Sequence, residues 1–164
     1  MSDYYLIFDA TAQGYTTWRA AILPACIAVV GAVLSMSAPF LVSPDDRKGM
    51  RFYRALTRTV GSLGLVACVA MLAYTRRSYN ALSDSLRDRT FRVVEGEVMD
   101  FVPQGPDGHP IEKFRIGNVW FSYSESDISS AFHQTAAQGG PIRSRLRVRI
   151  ADVDGAIARL EIRP

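Results

Sequence analysis

Four side chains in the last third of the chain have the chemistry to hold a divalent cation: His109, Glu112, Asp127 and His133. Two neutral imidazoles and a carboxylate would suit zinc and leave a fourth position open for water. Their spacing fits no metal signature, and loop-stabilising hydrogen bonds are the commoner use of such groups, so neither a metal nor a cofactor is assigned. Ser122, Ser124 and Thr135 add hydroxyls near His133, but a hydrolase also needs an orienting acid and an oxyanion hole. A metal- or small-ligand-dependent enzyme on His109, Glu112, His133 and Asp127 is therefore the alternative expectation rather than the first one.

Two further patterns bear on binding. Gly139-Gly140-Pro141 shares only its glycines with phosphate-cradling loops, lacking the following Lys-Ser/Thr, and reads as a helix stop. Arg145, Arg147, Arg149 and Arg159 fall on alternating positions, a basic face that would meet anionic headgroups, nucleic acid or an acidic protein. Glu161 opposite Arg147, with Glu95 and Glu97 if their strand is adjacent, would neutralise that face and leave it simply solvated.

The placement of charge decides between these partners. The chain has 164 residues and a formal net charge of +3. Residues 45–92 carry ten Lys/Arg against four Asp, whereas residues 93–164 carry eight basic and ten acidic side chains. The domain that holds the candidate residues is thus slightly acidic, and no nucleic acid is expected as a partner. Cys26 and Cys68 both lie upstream of it, so it has neither a disulfide framework nor a thiolate metal cluster.

Upstream lie two apolar runs without charge, Ala20 to Val42 and Thr59 to Thr75. Each matches the roughly 17–25 residues that cross a bilayer as a helix. The first nineteen residues hold Asp3 and Asp9 against Arg19, unlike the basic start of a cleaved signal peptide. Pro24 lies in the first turns of the first run and Pro39 near its end, both tolerable places in a spanning helix. Trp18, Tyr15, Phe52, Tyr53, Tyr74 and Tyr79 sit at the run ends as interface anchors. Gly31 with Ser35, Ala28 with Ala32, and Gly64 with Cys68 place small residues four apart, which permits close helix approach. Lys and Arg number five in the connecting loop (Arg47, Lys48, Arg51, Arg54, Arg58) and six on the opposite side (Arg19, Arg76, Arg77, Arg87, Arg89, Arg92), so the count sets no orientation. Tyr79, Leu82 and Leu86 recur at helical spacing and predict a short amphipathic neck.

From Phe91 the pattern becomes extended, with five strands predicted. Gly96 inside the first implies a bulge or bend. Gly117-Asn118 between Phe114–Ile116 and Val119–Tyr123 is a hairpin turn that sets Phe114 opposite Phe121 and Arg115 opposite Trp120, the latter a cation–π pair. Residues 127–136 read as a short helix capped by Ser126 and ended by Gly139-Gly140. A three-residue Val153-Asp154-Gly155 connection would pair Val148 with Leu160 and Arg147 with Glu161. Strand, hairpin, helix, hairpin is the order of an OB-type five-stranded β-barrel; an SH3-like barrel or an open sheet covered by the helix satisfies it too.

The segment also carries Val94-Glu95-Gly96-Glu97-Val98, Gly108-His109 with Glu112 and Phe114, Phe121-Ser122-Tyr123-Ser124, Phe132 with Thr135, Gly139-Gly140-Pro141-Ile142, Val148-Arg149-Ile150 and Leu160-Glu161-Ile162. In order and spacing, over roughly Arg92 to Ile162, this resembles a family of small bacterial membrane proteins with two N-terminal transmembrane helices and a C-terminal β domain. Where such proteins tend to read Tyr-Ser-Asp, this chain has Tyr123-Ser124-Glu125-Ser126-Asp127. The resemblance implies a multi-pass protein of the bacterial inner membrane and implies no reaction or cofactor. The expected organisation is a tail over 1–19, spans over 20–42 and 59–75 joined by a basic loop over 43–58, a neck over 76–90 and an OB-like domain over 91–164. The expected role is a membrane-anchored interaction or scaffold module whose partners are the lipid bilayer and a membrane protein or further copies of itself.

Overall fold

A computed structural model describes residues 4–43, 45–104 and 111–163. The chain forms two compact units, one from Trp18 to Tyr74 and the other from residues up to Thr17 together with those from Thr75 onward. The second unit therefore takes in the segment that reads in sequence as a tail.

α1 is a single turn over Ala10–Gln13 in the other unit, α2 spans Ile22–Leu41 within the helical unit, and α3 spans Arg47–Asp88, belonging to the helical unit as far as Tyr74 and to the other unit from Thr75. A 3-10 turn over Thr17–Ala21 leads into α2. At 1.5 Å per residue the twenty residues of α2 are about 30 Å long, the thickness of a bilayer's hydrocarbon layer. Both helices are long and apolar enough to cross a membrane, and only 11% of each apolar window is buried within the protein. Much of the expected basic loop is helical, because Asp46 accepts the Gly49 amide at 2.9 Å and starts α3 just after it. At the other end of α2, the Val42 amide donates to Ala38 across Pro39 at 3.1 Å.

The two helices touch backbone to backbone. A Cβ on Gly31 would lie 2.6 Å from the Gly61 Cα and 2.9 Å from the Thr57 carbonyl, and one on Gly64 would lie 2.7 Å from the Ala28 amide nitrogen. A Cβ on Gly61 would meet its nearest backbone atoms at 3.4 Å, ordinary contact. Small residues thus set the spacing of the pair.

The other unit is a six-stranded antiparallel open sheet rather than the expected five-stranded OB-like barrel. Its strands are β1 (Tyr5–Asp9), β2 (Arg92–Val102), β3 (Glu112–Ile116), β4 (Val119–Tyr123), β5 (Arg147–Val153) and β6 (Ala156–Arg163), in the order β1-β6-β5-β2-β3-β4. β1 pairs along β6, so the edge of β6 that a closed barrel would need is already occupied, and β4 stays at the far end. The aromatic run before Asp9 supplies this strand. Asp9 then ends it by accepting the Thr11 amide at 2.8 Å and opening α1.

β2 serves two partners: residues 92–97 pair with β5, and the stretch from Val98 onward pairs with β3. Gly96 is no bulge, for it sits in register with Val148; a Cβ there would strike the Ile116 side chain at 2.8 Å. The irregularity falls between Met99 and Val102, where Asp100 takes a positive φ of 49°. The β3–β4 hairpin has the expected register, Phe114 with Phe121 and Arg115 with Trp120.

The last hairpin departs from expectation. Its turn has two residues, Asp154 and Gly155, with φ of 51° and 86°, and Val148 pairs with Ile162 while Arg149 pairs with Glu161. An irregularity on β6 absorbs the one-residue offset: Ala151 opposes Arg159 and Asp152 opposes Ile157, leaving Ala158 as the extra residue. Ile150, and not Val148, therefore meets Leu160.

The helix expected over 127–136 is absent. Just before it, Asp127 accepts the Ser124 amide at 2.9 Å and Ser124 Oγ the Ser126 amide at 3.3 Å, and within it Ser129 Oγ takes the Ala131 amide at 3.3 Å. The Phe132 amide donates to the Ile157 carbonyl at 2.9 Å, drawing the loop over β6. A 3-10 turn over Ala136–Gln138 follows. The second helix runs on through the expected amphipathic neck as the last turns of α3, and Leu82 and Leu86 of its stripe are buried in the core of this unit.

Because added atoms at Gly31 and Gly64 have nowhere to go, Gly31→Ala or Gly64→Ala should destabilise the helical pair by about 1–3 kcal/mol. Gly61→Ala should be neutral or slightly stabilising through helix propensity. Reversible unfolding of the detergent-solubilised chain by sodium dodecyl sulfate measures all three, and equal losses would contradict the packing described.

Candidate functional site

Among the described residues the most deeply placed carboxylate is Glu112, fully buried at the start of β3. One oxygen accepts the Tyr123 hydroxyl from the neighbouring strand, and the other accepts the Ala136 amide at 2.9 Å. Burial, and then the hydrogen bond to Glu112, push the Tyr123 phenol well above its ordinary range, so the hydroxyl stays a donor. The carboxylate is the tie between the hairpin and the 124–140 loop.

That loop carries its own supports. Thr135, also fully buried, donates to Glu125 at 2.6 Å, and its carbonyl receives the Gly140 amide at 2.8 Å. Gly139 has a left-handed φ of 80°, and a Cβ on Gly140 would fall 2.3 Å from the Gln134 carbonyl. The two glycines close a tight turn.

Aromatic rings fill the space beneath. Phe8 meets Phe132 at 5.6 Å, Phe132 meets Tyr123 at 5.4 Å, and Phe114 stacks on Phe121 at 5.3 Å. Tyr123 and Phe114, 6.2 Å apart, link the two pairs, so a chain of rings runs from the first strand to the fourth.

Of the expected metal-ligating group, His109 lies outside the described residues. Glu112 is engaged as above, Asp127 is exposed and holds the Ser124 amide, and His133 places Nδ1 2.8 Å from the Ala131 carbonyl. Among the described residues no three His, Cys, Asp or Glu side chains converge to hold a cation.

The arginine face is a mixed-charge ladder. Arg149 donates to Glu95 at 2.8 Å, lies 3.5 Å from Glu161 and covers the Tyr4 ring at 4.3 Å. The hydrogen bonds from Arg149 and then Tyr4 hold the Glu95 carboxyl below its usual range. Arg147 stands in register with Glu97. Arg159 donates to Asp9 at 2.7 Å; burial raises the Asp9 carboxyl, but hydrogen bonds from Thr11 and Arg159 outweigh that and leave it lowered. Arg145 precedes β5 with a positive φ of 66° and falls outside the alternation. Asp9 is the contributor that sequence patterning missed, although an Asp before Ala-Thr-Ala-Gln is a helix-cap signal.

At the far end of the sheet, β4 exposes Trp120, 56% accessible. Arg115 covers its ring at 5.9 Å and is itself fixed by Asp100 at 2.7 Å and by the Gly117 carbonyl at 2.6 Å. The positive φ at Asp100 belongs to the irregularity in β2 beside this pair.

No family model, curated protein sequence or solved structure matches the chain.

Replacing Glu112 with Ala strands the Tyr123 hydroxyl and the Ala136 amide in the core, and should cost about 2–4 kcal/mol. A double-mutant cycle with Tyr123→Phe, read by thermal melting of the detergent-solubilised chain, should show coupling of at least about 1 kcal/mol. Additive losses would mean that the two groups are not partners.

Proposed function

We propose that this chain is a membrane-anchored interaction module: α2 and the apolar part of α3 form a hairpin across a bacterial inner membrane and tether the sheet unit, which binds a protein partner. The observation that carries the reading is the pairing of two unlike surfaces in one chain. The apolar faces of α2 and α3 are largely uncovered by protein, which a bilayer would remedy. The sheet unit ends in a terminal strand bearing an exposed tryptophan under a fixed arginine.

Tryptophan and arginine dominate the energetics of protein interfaces when they are rigid before binding. Arg115 is held by Asp100 and the hairpin carbonyl, so little side-chain freedom remains to be lost. A terminal strand offers backbone donors and acceptors to an added strand, with side chains on alternate positions supplying selectivity. A membrane-protein partner or a second copy of the chain fits this surface equally well by chemistry.

The test is cross-linking and co-purification of the full chain from membranes, compared with Trp120→Ala. The reading expects a reproducible partner whose recovery falls at least about fivefold in the variant, with unchanged circular dichroism because the ring is exposed. A partner captured equally by both forms, or none across repeated preparations, would contradict it.

A further inference from the structure

Within the helical unit, one face of α3 runs from charge to hydrocarbon. Arg47, Arg51, Arg54 and Arg58 recur at intervals of four, three and four residues, which confines them to an arc of about 60° on the helix surface. Arg47, Arg51 and Arg58 are exposed and Arg54 is half-buried. Among the described residues no ion pair joins any of the four to a carboxylate. The nearest acid in sequence is Asp46, which caps the helix through the Gly49 amide.

Further along α3 the same face lines a groove of about 600 Å³ against α2. Arg58, Ser35 and Met36 stand at the end nearest the connecting loop, with Ser62 and Ala32 next and Val29 and Leu65 deepest. Arg58 Nε donates to Ser35 Oγ at 3.2 Å, so the guanidinium bridges the two helices at the polar end. The volume is in the range that holds a small amphiphile.

We infer that this groove is a binding site for an anionic glycerophospholipid, the phosphate resting on Arg54 and Arg58 and one acyl chain running along Ala32, Val29 and Leu65. Charge complementarity selects the occupant: a phosphate takes two parallel hydrogen bonds from a guanidinium, and the four arginines form a single-sign field at one end of an apolar slot. A zwitterionic lipid fits the slot but gains less from the field. A second copy of this chain would bring its own arginines to the same place and meet repulsion. The inference rests on the bilayer placement of α2 and α3 in the proposed function, and it adds a lipid preference to it.

The experiment uses the full chain in lipid nanodiscs made either of phosphatidylcholine alone or of equal phosphatidylcholine and phosphatidylglycerol, with retained lipid identified by native mass spectrometry. A guanidinium at an anionic surface contributes roughly a factor of five, so with Arg54 and Arg58 both engaged the anionic lipid in the mixed discs should be enriched about twentyfold over its zwitterionic neighbour. Arg54→Gln/Arg58→Gln should bring the ratio close to that of the bulk lipid. Lys48→Gln, which removes a charge about 100° around the helix, should leave it unchanged. Ser62→Leu, filling the slot without altering charge, should lower retention of both lipids. Equal retention by the unaltered chain, undiminished enrichment in the double variant, or a lipid-free dimer joined through the groove would overturn the site while leaving the bilayer placement intact. Failure to enter neutral nanodiscs at all would overturn both.

Discussion

Two apolar helices whose side chains are mostly uncovered by protein set the terms for everything else in this chain. Within each helix the backbone satisfies its own hydrogen bonds, so lipid can replace water around it at no cost in unpaired amides. In lipid no hydrophobic force would hold the helices together, and close backbone contact would take over that task. Gly31, Gly61 and Gly64 are where α2 and α3 meet it, and larger residues at the first and third would wedge the pair apart. Gly31 and Gly64 are therefore fixed by sterics and not by any need for unusual backbone angles.

The sheet unit solves a different problem, that of a long polar loop lying over an apolar sheet. Residues 124–140 are rich in Ser, Asp and Thr: Ser129 takes the Ala131 amide that a helix would need, and Ser124 and Asp127 hold a turn where the helix would begin. The loop is instead anchored at two points, Phe132 among the rings and on the β6 backbone and Ala136 on Glu112, and is braced internally by Thr135 on Glu125. A buried carboxylate that receives two donors is tolerable where an unpaired one would not be. Glu112 thus acts as a structural bracket, the role its position between hairpin and loop makes available.

What could be read in advance follows from the range of the forces involved. The apolar helices and the Gly117-Asn118 hairpin are local signals, and the cross-strand pairs Phe114–Phe121 and Arg115–Trp120 follow from turn and alternation alone. The barrel did not follow, because whether a sheet closes depends on which strand reaches an edge first. β1 lies about 150 residues away in sequence from its partner β6, and in isolation its few residues look like a tail before a membrane span. The last hairpin opposes Ile150 to Leu160 and Val148 to Ile162, where a three-residue turn would have set Val148 opposite Leu160; a two-residue turn and an extra residue at Ala158 produce the observed register. Registers two residues apart both keep apolar side chains opposite one another, and the pattern of apolar residues does not distinguish them. Of the candidate cation ligands, Glu112 and Asp127 have structural partners that composition could not reveal, namely Tyr123 and the Ala136 amide for the first and the Ser124 amide for the second.

The chain's two cysteines allow its central claim to be tested without mutation, because Cys26 lies on α2 and Cys68 on the apolar part of α3, and both thiols are free. Maleimide attack requires a thiolate in water, and a bilayer around the helices withholds that water. The measurement is labelling of the full chain in intact membranes by a water-soluble maleimide, repeated after detergent and denaturant are added. Protection of both cysteines in the intact membrane, followed by full labelling once it is dissolved, is the result expected if α2 and α3 cross the bilayer. Rapid labelling of both in the intact membrane would contradict it.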